Sequence, residues 1–277
     1  MPSIRYRLVN VFAETPFGGN PLAVVEDARG LDDAAMQAIA RQFNLSETTF
    51  IFPSTAAAAR VRIFTPTYEM PFAGHPTLGT AAVVAETAGE AFELELAAGP
   101  IPVRRVDGAW RLRANRATQR PMQAGVADIA AMLGLSPSRV RGPALWVDCG
   151  TEQPMIELNT PDDVEACRID AALMARWSTN KTGQAKTYVF ARDGGDFVAR
   201  YFWMSGAAGV SEDPGTGSAC ANLGRWWQIT HGDQPLHALV RQARNSGRPS
   251  LLTLDVDGGE VEVGGRVIAI GAGELRW

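Results

Sequence analysis

The feature of this sequence that most constrains the fold is a helix-length run with almost no polar surface. From Leu78 to Ala85 nearly every residue is small or branched and apolar. A surface helix has one apolar stripe and one polar face, whereas this run is apolar on nearly all sides. We therefore expect a helix that is buried on most sides. Ala219 to Trp227 predicts another small-residue helix later in the chain.

Each predicted helix follows a glycine-containing loop, and similar residues precede the two loops in the same order. They are Arg62, Phe64, Glu69 and Pro71 before the first helix, and Arg200, Phe202, Glu212 and Pro214 before the second. This echo predicts two similar halves, each with a strand, a glycine turn and a central buried helix. The alternative to two similar halves is that these short segments resemble each other by chance.

Length and composition favour two globular domains. The chain has 277 residues, of which 46% are apolar and 20% are charged. A polar segment without strong periodicity, residues 115–126, is a plausible boundary. The net charge is −4 and no basic stripe is present, which argues against a nucleic-acid partner. Neither a signal peptide nor an apolar run of about 18 residues occurs, so we expect a cytoplasmic protein without a membrane partner.

The cysteines and histidines argue against a disulfide framework and a metal site. Cys149, Cys167 and Cys220 are widely spaced and form no CxxC pair. The three histidines form no HExxH pattern, so we expect no metal ion. Cys220 lies among small residues with no adjacent histidine, which favours packing over a catalytic thiol.

The stretch SEDPGTGSAC, residues 211–220, lies where the second small-residue helix begins. It has no lysine for a phosphate-binding P-loop, and its glycines do not match the GxGxxG pattern of a dinucleotide site. Glycines at a helix N-terminus suit a small carboxylate, because unpaired N–H groups and the helix dipole favour an anion. The alternative is a tight turn in which Thr216 or Ser218 caps the helix. Asp213 is either a further cap or a group that orients a proton carrier.

Glu47 and His75 are candidates for proton transfer. A helix capped by Asp32 is expected to end at Asn44, and Thr48 to Phe52 is expected to be a strand, which places Glu47 at the joint. The negative end of the helix dipole and apolar neighbours favour the protonated carboxyl of Glu47. His75 is expected directly before the next helix, where the dipole favours the neutral ring. The alternatives are a solvated turn glutamate and a structural histidine.

With these residues in view, the chain resembles the PhzF-like isomerase family of phenazine biosynthesis, which is related to diaminopimelate epimerase. The matching segments run in the family's order and cover essentially the whole chain: VNVFAETPFGGNPLAVV, NLSETTFIF, RIFTPTYEMPFAGHPTLGTA, EDPGTGSA, SGRPS and VGGRVIAIGAGEL.

The resemblance implies an α+β fold of the diaminopimelate-epimerase type. Each of its two similar domains would be a curved, barrel-like β-sheet wrapped around a central helix, with the active site in the cleft between the domains. The first domain would span residues 1–117 and be completed by the C-terminal strand, about 266–277. The second would span residues 118–265. Homodimers are common in the family, so we expect one here.

The resemblance also implies roles for individual residues. Glu47 matches the general acid and base, and His75 and Asp213 match its partners in substrate positioning and proton handling. Gly74, Gly217 and Ser218 match the groups that hold the substrate carboxylate. Ala73 and Pro214 stand where the related epimerases carry cysteines, so two-thiol chemistry is not available. The implied reaction needs no cofactor.

The implied activity is an isomerisation that moves a proton between two carbons of a small carboxylate. In the phenazine pathway the substrate is trans-2,3-dihydro-3-hydroxyanthranilate. Two alternatives stay open: an amino-acid epimerase or racemase on the same fold, and a catalytically silent small-molecule binding protein. The sequence departs from the family pattern at WMSGAAGVSEDP and at RWWQITHG, and both departures are expected to reshape the substrate pocket.

Overall fold

The computed structural model describes residues 3–205, 209–232 and 234–276. The strands are β1 (Ser3–Val11), β2 (Asn20–Val25), β3 (Thr48–Phe52), β4 (Ala59–Phe64), β5 (Glu69–Met70), β6 (Ala91–Leu96), β7 (Gly99–Val106), β8 (Ala109–Arg113), β9 (Thr118–Pro121), β10 (Leu145–Asp148), β11 (Glu152–Glu157), β12 (Lys186–Asp193), β13 (Asp196–Met204), β14 (Val210–Asp213), β15 (Leu236–Gln242), β16 (Ser250–Asp257), β17 (Glu260–Gly265) and β18 (Val267–Arg276). The helices are α1 (Asp33–Phe43), α2 (Gly74–Ala88), α3 (Val126–Leu133), α4 (Pro161–Ala166), α5 (Ala171–Trp177) and α6 (Gly217–His231). No helix in these ranges is long and apolar enough to cross a membrane.

The chain divides into two compact units. Unit 1 comprises Met1–Arg113 and Gly264–Trp277, and unit 2 comprises Ala114–Val263. The C-terminal strand belongs to unit 1, because β18 pairs antiparallel with β1 along its length, with a bulge between Leu8 and Val9. The assignment of 1–117 and 118–265 as two epimerase-like domains stays a prediction.

The sheet of unit 1 curves around α2. Its strand order is β18-β1-β2-β3-β4-β6-β7-β8, with β5 also paired to β4. The β2–β3 and β4–β6 pairs are parallel, and the others are antiparallel. Helix α2 contacts β1, β2, β6, β8 and β18, strands from both ends of that order. Only a curved sheet brings both ends to one helix, so the predicted buried helix is confirmed. It begins at Gly74, four residues before the predicted run.

Unit 2 repeats this topology. Its order is β9-β10-β11-β12-β13-β15-β16, with β14 also paired to β13. The parallel pairs, β11–β12 and β13–β15, fall at the places equivalent to those of unit 1. Helix α6 contacts β10, β11 and β16. The predicted echo between the halves therefore corresponds to a repeated arrangement of strands and a central helix.

The echoed residues form the same clamp in both units. Phe64 lies opposite Glu69 in the β4–β5 pair, and Phe202 lies opposite Glu212 in the β13–β14 pair. The guanidinium of Arg62 binds both carboxylate oxygens of Glu69, at 2.7 and 2.5 Å. Arg200 binds both oxygens of Glu212 in the same way, at 2.9 and 2.7 Å. Bidentate pairs of this kind fix orientation as well as distance, so each holds the short strand before its central helix.

Local signals in the sequence are largely realised. The Asp32 carboxylate accepts a hydrogen bond from the Ala35 N–H and caps α1, which ends at Asn44 with φ 51°. The Asp107-Gly108 pair turns between β7 and β8 with positive φ at both residues. The segment 115–126, which has no strong periodicity in the sequence and is a plausible boundary, contains β9, which pairs with β10. Its exposed residues do not alternate in burial, so no period-2 pattern marks it.

We expect Gly224→Ala to lower the free energy of unfolding by about 1–2 kcal/mol. A Cβ at Gly224 would lie 2.5 Å from Val261 Cγ1 and 2.9 Å from Leu254 Cδ1. Overpacking costs about 1–3 kcal/mol, and about 2–3 kcal/mol here because the stiff Val261 cannot move aside, whereas the gain in helix propensity is about 1 kcal/mol. Urea denaturation measures the change. Gly195→Ala, where nothing lies within 4 Å, is the control and should stay within about 0.5 kcal/mol of the wild type.

Candidate active site

Glu47 and His75 lie together in unit 1. Glu47 stands between the end of α1 and the first residue of β3, as predicted. His75 is the second residue of α2, so it lies inside the first turn and not before the helix. Its Nε2 is 3.5 Å from Oε2 of Glu47, and the side chains are only 8% and 16% exposed. The structure therefore brings a carboxyl and an imidazole into a buried contact.

The imidazole of His75 is neutral. Burial lowers its pKa to about 3, and a hydrogen bond to the backbone of Pro21 only partly opposes that effect. Proline offers only a carbonyl, and Nε2 has no hydrogen bond among the described residues, so Nδ1–H is the donor to Pro21. Nε2, which is 3.5 Å from Glu47 Oε2, then carries a lone pair. The predicted direction is confirmed, but its leading cause is burial and not the helix dipole.

The first turn of α2 has no side-chain cap. Ala73 occupies the N-cap position, where it offers no hydrogen-bonding side chain, and Gly74 is the first helical residue. Thr80 instead ties the helix to the sheet, because its hydroxyl donates to the Pro76 carbonyl at 2.7 Å and is 2.8 Å from the Thr49 hydroxyl. The N-cap residue of α2 thus offers no side-chain acceptor to the first peptide N–H groups, a condition that favours an anion.

In unit 2, Asp213 is held by its neighbours on the loop before α6. The Thr216 hydroxyl donates to Oδ2 of Asp213. Gln242 is fully buried, and its Nε2 donates to the Asp213 carbonyl and to the Thr216 hydroxyl, both at 2.9 Å. Its Oε1 accepts from the Thr216 N–H at 3.2 Å. Because Gln242 fixes Thr216, and Thr216 in turn holds Asp213, the carboxylate has a defined orientation.

The alternative that Thr216 or Ser218 caps α6 is wrong. Thr216 occupies the N-cap position, but its hydroxyl is used by Asp213, and α6 has no side-chain cap hydrogen bond. Ser218 is the second residue of the helix, and its oxygen accepts from Gln153 Nε2 at 3.0 Å. Gly217 is the first. Like α2, therefore, α6 begins without a capping hydrogen bond from its N-cap side chain.

The cysteines are not placed for nucleophilic chemistry. Cys220 is fully buried, and burial raises the pKa of its thiol. Burial also raises the pKa values of Cys149 and Cys167 to about 12. Since the thiolate is the nucleophile, these groups are unreactive near neutral pH. Among residues 3–205, 209–232 and 234–276, no three His, Cys, Asp or Glu side chains converge on a possible metal position.

The two departures from the family pattern have different outcomes. Gly206, Ala207 and Ala208 of WMSGAAGVSEDP lie outside the described residues. The RWWQITHG segment lies toward the C-terminal end of α6, where Trp226 and Trp227 pack edge-on against Phe190 and Phe197. Ser218 is at the opposite end of the same helix. Within unit 2 the two tryptophans therefore pack in the core away from the helix N-terminus, whereas Ile229 and Thr230 are exposed.

Sequence reasoning missed several polar residues behind these groups. Gln153 and Gln242 lie on β11 and β15, Asn222 lies inside α6, and all three are at most 1% exposed. Their only sequence signal is a polar residue at a position whose neighbours predict burial. A buried amide must be hydrogen-bonded, but the sequence does not say to what.

Comparison with known proteins agrees with the fold. Residues 9–273 match the family described as phenazine biosynthesis-like protein. An uncharacterised isomerase of Pasteurella multocida is 42% identical over 98% of this chain and 93% of its own. The trans-2,3-dihydro-3-hydroxyanthranilate isomerase of Pseudomonas fluorescens is 35% identical over 98% of each chain. The crystal structure of a PhzF-family protein of Bacillus anthracis superposes with a TM-score of 0.88 at 22% identity and covers 100% of both chains.

The chain has two curved sheets, each around a central helix. Its relatives along nearly the whole chain are named isomerases, and the chain is therefore an isomerase. It belongs to the phenazine biosynthesis-like, or PhzF-like, protein family. The resemblance found in the sequence is confirmed.

We expect His75 to make stability fall with decreasing pH. The folded protein excludes a proton until about pH 3, whereas an unfolded chain binds it below about pH 6.5. Below pH 6.5 the unfolded state therefore carries more protons, and His75 lowers the free energy of unfolding by up to about 1.4 kcal/mol per pH unit. Urea denaturation at pH 7, 6 and 5 should show a shallower slope for His75→Gln than for the wild type.

An unchanged slope in His75→Gln would contradict a neutral, buried His75.

Proposed function

We propose that this isomerase moves a proton between two carbons of a small carboxylate substrate, with Glu47 as the general acid and base. The observation that carries the proposal is the buried contact between Glu47 Oε2 and His75 Nε2 at 3.5 Å. A neutral imidazole with its Nδ1–H on Pro21 leaves only a lone pair at Nε2. A hydrogen on the facing carboxyl oxygen stabilises that contact, so the pair can store a proton and release it.

The proposed reaction has a simple balance. Glu47 takes a proton from a carbon next to an activating group, and the electrons of that C–H bond move into the conjugated system. The double bond migrates as Glu47 returns the proton to another carbon. Nothing is oxidised or reduced overall, so the proposal requires no electron acceptor. Delivery to a different carbon gives isomerisation, whereas delivery to the opposite face of the same carbon would give epimerisation.

The remaining assignments rest on the family resemblance and are supported by local geometry. Asp213 is proposed to position the substrate and assist proton handling, since Thr216 holds its carboxylate in one orientation. Gly74, Gly217 and Ser218 are proposed to bind the substrate carboxylate. They open α2 and α6, whose first peptide N–H groups have no side-chain cap and thus suit an anion. The named relative from Pseudomonas fluorescens supports trans-2,3-dihydro-3-hydroxyanthranilate as the first substrate to test.

We expect Glu47→Gln to slow substrate proton exchange by about 10²–10⁴-fold, because the amide cannot carry the proton. The protein is incubated in D2O with trans-2,3-dihydro-3-hydroxyanthranilate and with a panel of amino acids, and carbon-bound deuterium is measured by NMR. Glu93→Gln, at an exposed position on β6 in the same unit, is the matched control and should exchange at the wild-type rate.

The outcomes separate the alternatives. Deuterium at a new carbon supports isomerisation, and inversion at a single stereocentre would indicate an epimerase or racemase. Saturable binding without exchange would indicate a binding protein. Exchange that persists in Glu47→Gln would reject Glu47 as the base.

The family resemblance also supports a cytoplasmic homodimer. Light scattering should give twice the 29.7 kDa mass of the chain, and a value equal to one chain would contradict the dimer.

A further inference from the structure

We propose that Gln153 is a positioning residue that turns the hydroxyl hydrogen of Ser218 toward the substrate carboxylate. The inference rests on the proposed function, because it takes Ser218 as a donor to that carboxylate. It adds a reason why Ser218 acts as a donor and not as an acceptor. The reason is a chain of hydrogen bonds through two buried amides, Gln153 and Asn222.

The direction of this chain is set at Asn222. Its Oδ1 accepts from the Cys149 backbone N–H at 3.1 Å, and an N–H group can only donate. Its Nδ2 donates to the Thr151 carbonyl at 2.9 Å, and a carbonyl can only accept. Two backbone groups on the loop between β10 and β11 therefore fix which side of the amide is oxygen. Asn222 is fully buried, so a reversed amide would leave both backbone groups badly matched.

Asn222 in turn fixes Gln153. The second hydrogen of Asn222 Nδ2 points to Oε1 of Gln153 at 2.6 Å. Gln153 must then present Nε2 at its other side, and this nitrogen donates to Ser218 Oγ at 3.0 Å. Gln153 is 1% exposed, so water does not replace these hydrogen-bond partners. The backbone groups of Cys149 and Thr151 thus determine donor and acceptor at Asn222, then at Gln153, and finally at the Ser218 hydroxyl.

Ser218 consequently accepts from inside the protein. A hydroxyl has one hydrogen, and Gln153 Nε2 cannot take it. Within the described ranges, the bond from Gln153 is the one hydrogen bond recorded for the Ser218 side chain. Ser218 lies in the first turn of α6, where uncapped peptide N–H groups already favour an anion. The free hydroxyl hydrogen adds a donor there, whereas a reversed Gln153 would withdraw the hydrogen and leave lone pairs that repel a carboxylate.

The repeated fold shows that packing does not require glutamine at this position. The register of β11 against β12, compared with that of β2 against β3, makes Leu22 the counterpart of Gln153 in unit 1. Leu22 is fully buried and packs against α2 beside Gly79. A buried amide costs free energy that a leucine does not, unless every hydrogen bond is made. Hydrogen bonding of the Gln153 amide to Asn222 and Ser218 accounts for a glutamine in unit 2 where unit 1 has a leucine.

A double-mutant cycle tests the positioning role. Gln153→Met keeps the side-chain length and releases the hydroxyl, so KM for trans-2,3-dihydro-3-hydroxyanthranilate should rise about tenfold with little change in kcat. Ser218→Ala should raise KM at least as much. Gln153→Met should add almost nothing in the Ser218→Ala background, because both changes remove the same bond.

A reversal of polarity gives a second readout. In Gln153→Glu an ionised carboxylate accepts the hydrogen of Ser218, and KM should rise above that of Gln153→Met. Lowering the pH protonates the glutamate, restores a donor to Ser218 and should bring KM back toward the wild-type value. A residue with only a packing role would show no such recovery.

Thr187→Val is the matched control, since it removes a buried hydrogen bond of 2.9 Å to Ser178 in the same unit. It should reduce stability and leave KM unchanged. Additive KM effects of Gln153→Met and Ser218→Ala, or a Gln153→Met variant with reduced stability and unchanged KM, would overturn the proposal.

The double-mutant cycle of Gln153→Met and Ser218→Ala is repeated with the dissociation constant of anthranilate, a stable aromatic carboxylate, measured by calorimetry. Coupling between Gln153 and Ser218 there, together with exchange that survives in Glu47→Gln, rejects the proposed base but retains the positioning role. Absent coupling, or no binding of anthranilate to the wild type, overturns the positioning role itself.

Discussion

The close approach of a helix to the sheet that encloses it is the constraint on which each unit depends. At Gly79 and Gly224 an added Cβ would fall 2.5 Å from a side chain of a surrounding strand. A helix held so tightly carries small or apolar residues along most of its length, as α2 does. Its polar peptide groups remain unpaired only at the ends. The architecture itself therefore concentrates the capacity to bind a charged ligand at the first turns of α2 and α6.

Those first turns lack the caps that most helices use. A side-chain cap is worth about 1 kcal/mol, and both helices forgo it. In α2 the N-cap residue is Ala73. In α6 the N-cap hydroxyl of Thr216 is committed to Asp213, which is itself one of the predicted functional residues. Uncapped N–H groups favour an anion, so this loss of stability is consistent with helix ends that bind a ligand.

The parts of the structure that follow local rules could be predicted from the sequence. The cap at Asp32, the left-handed end at Asn44 and the turn at Asp107 each depend on a few adjacent residues. The starts of α2 and α6 could not, because α2 has no capping residue at Ala73 and the hydroxyl of Thr216, a capping residue type at the start of α6, binds Asp213 instead. Gln153 was not predicted for a different reason.

The role of Gln153 depends on partners about 65 positions away in the chain. A single sequence states that this residue is polar but not which side of its amide faces which neighbour. His75 is an intermediate case. Its neutral state was predicted, but the leading cause is burial, which only the folded chain reveals.

The two units keep the same scaffold and place different chemistry on equivalent positions. Thr48 and Thr187 lie opposite Phe64 and Phe202, so the residue before each threonine is equivalent, and it is Glu47 in unit 1 and Lys186 in unit 2. The second residue of the central helix is a histidine in α2 and a serine in α6.

On the short strands β5 and β14, the residue after the clamp glutamate is Met70 in unit 1 and Asp213 in unit 2. The arginine–glutamate clamp, in contrast, is the same in both. The clamp that fixes the scaffold is therefore the same in both units, whereas the candidates for proton transfer, Glu47, His75 and Asp213, stand at positions where the units differ. The predicted residues are divided between the units, with Glu47, Gly74 and His75 in unit 1 and Asp213, Gly217 and Ser218 in unit 2, so neither unit alone carries the full set.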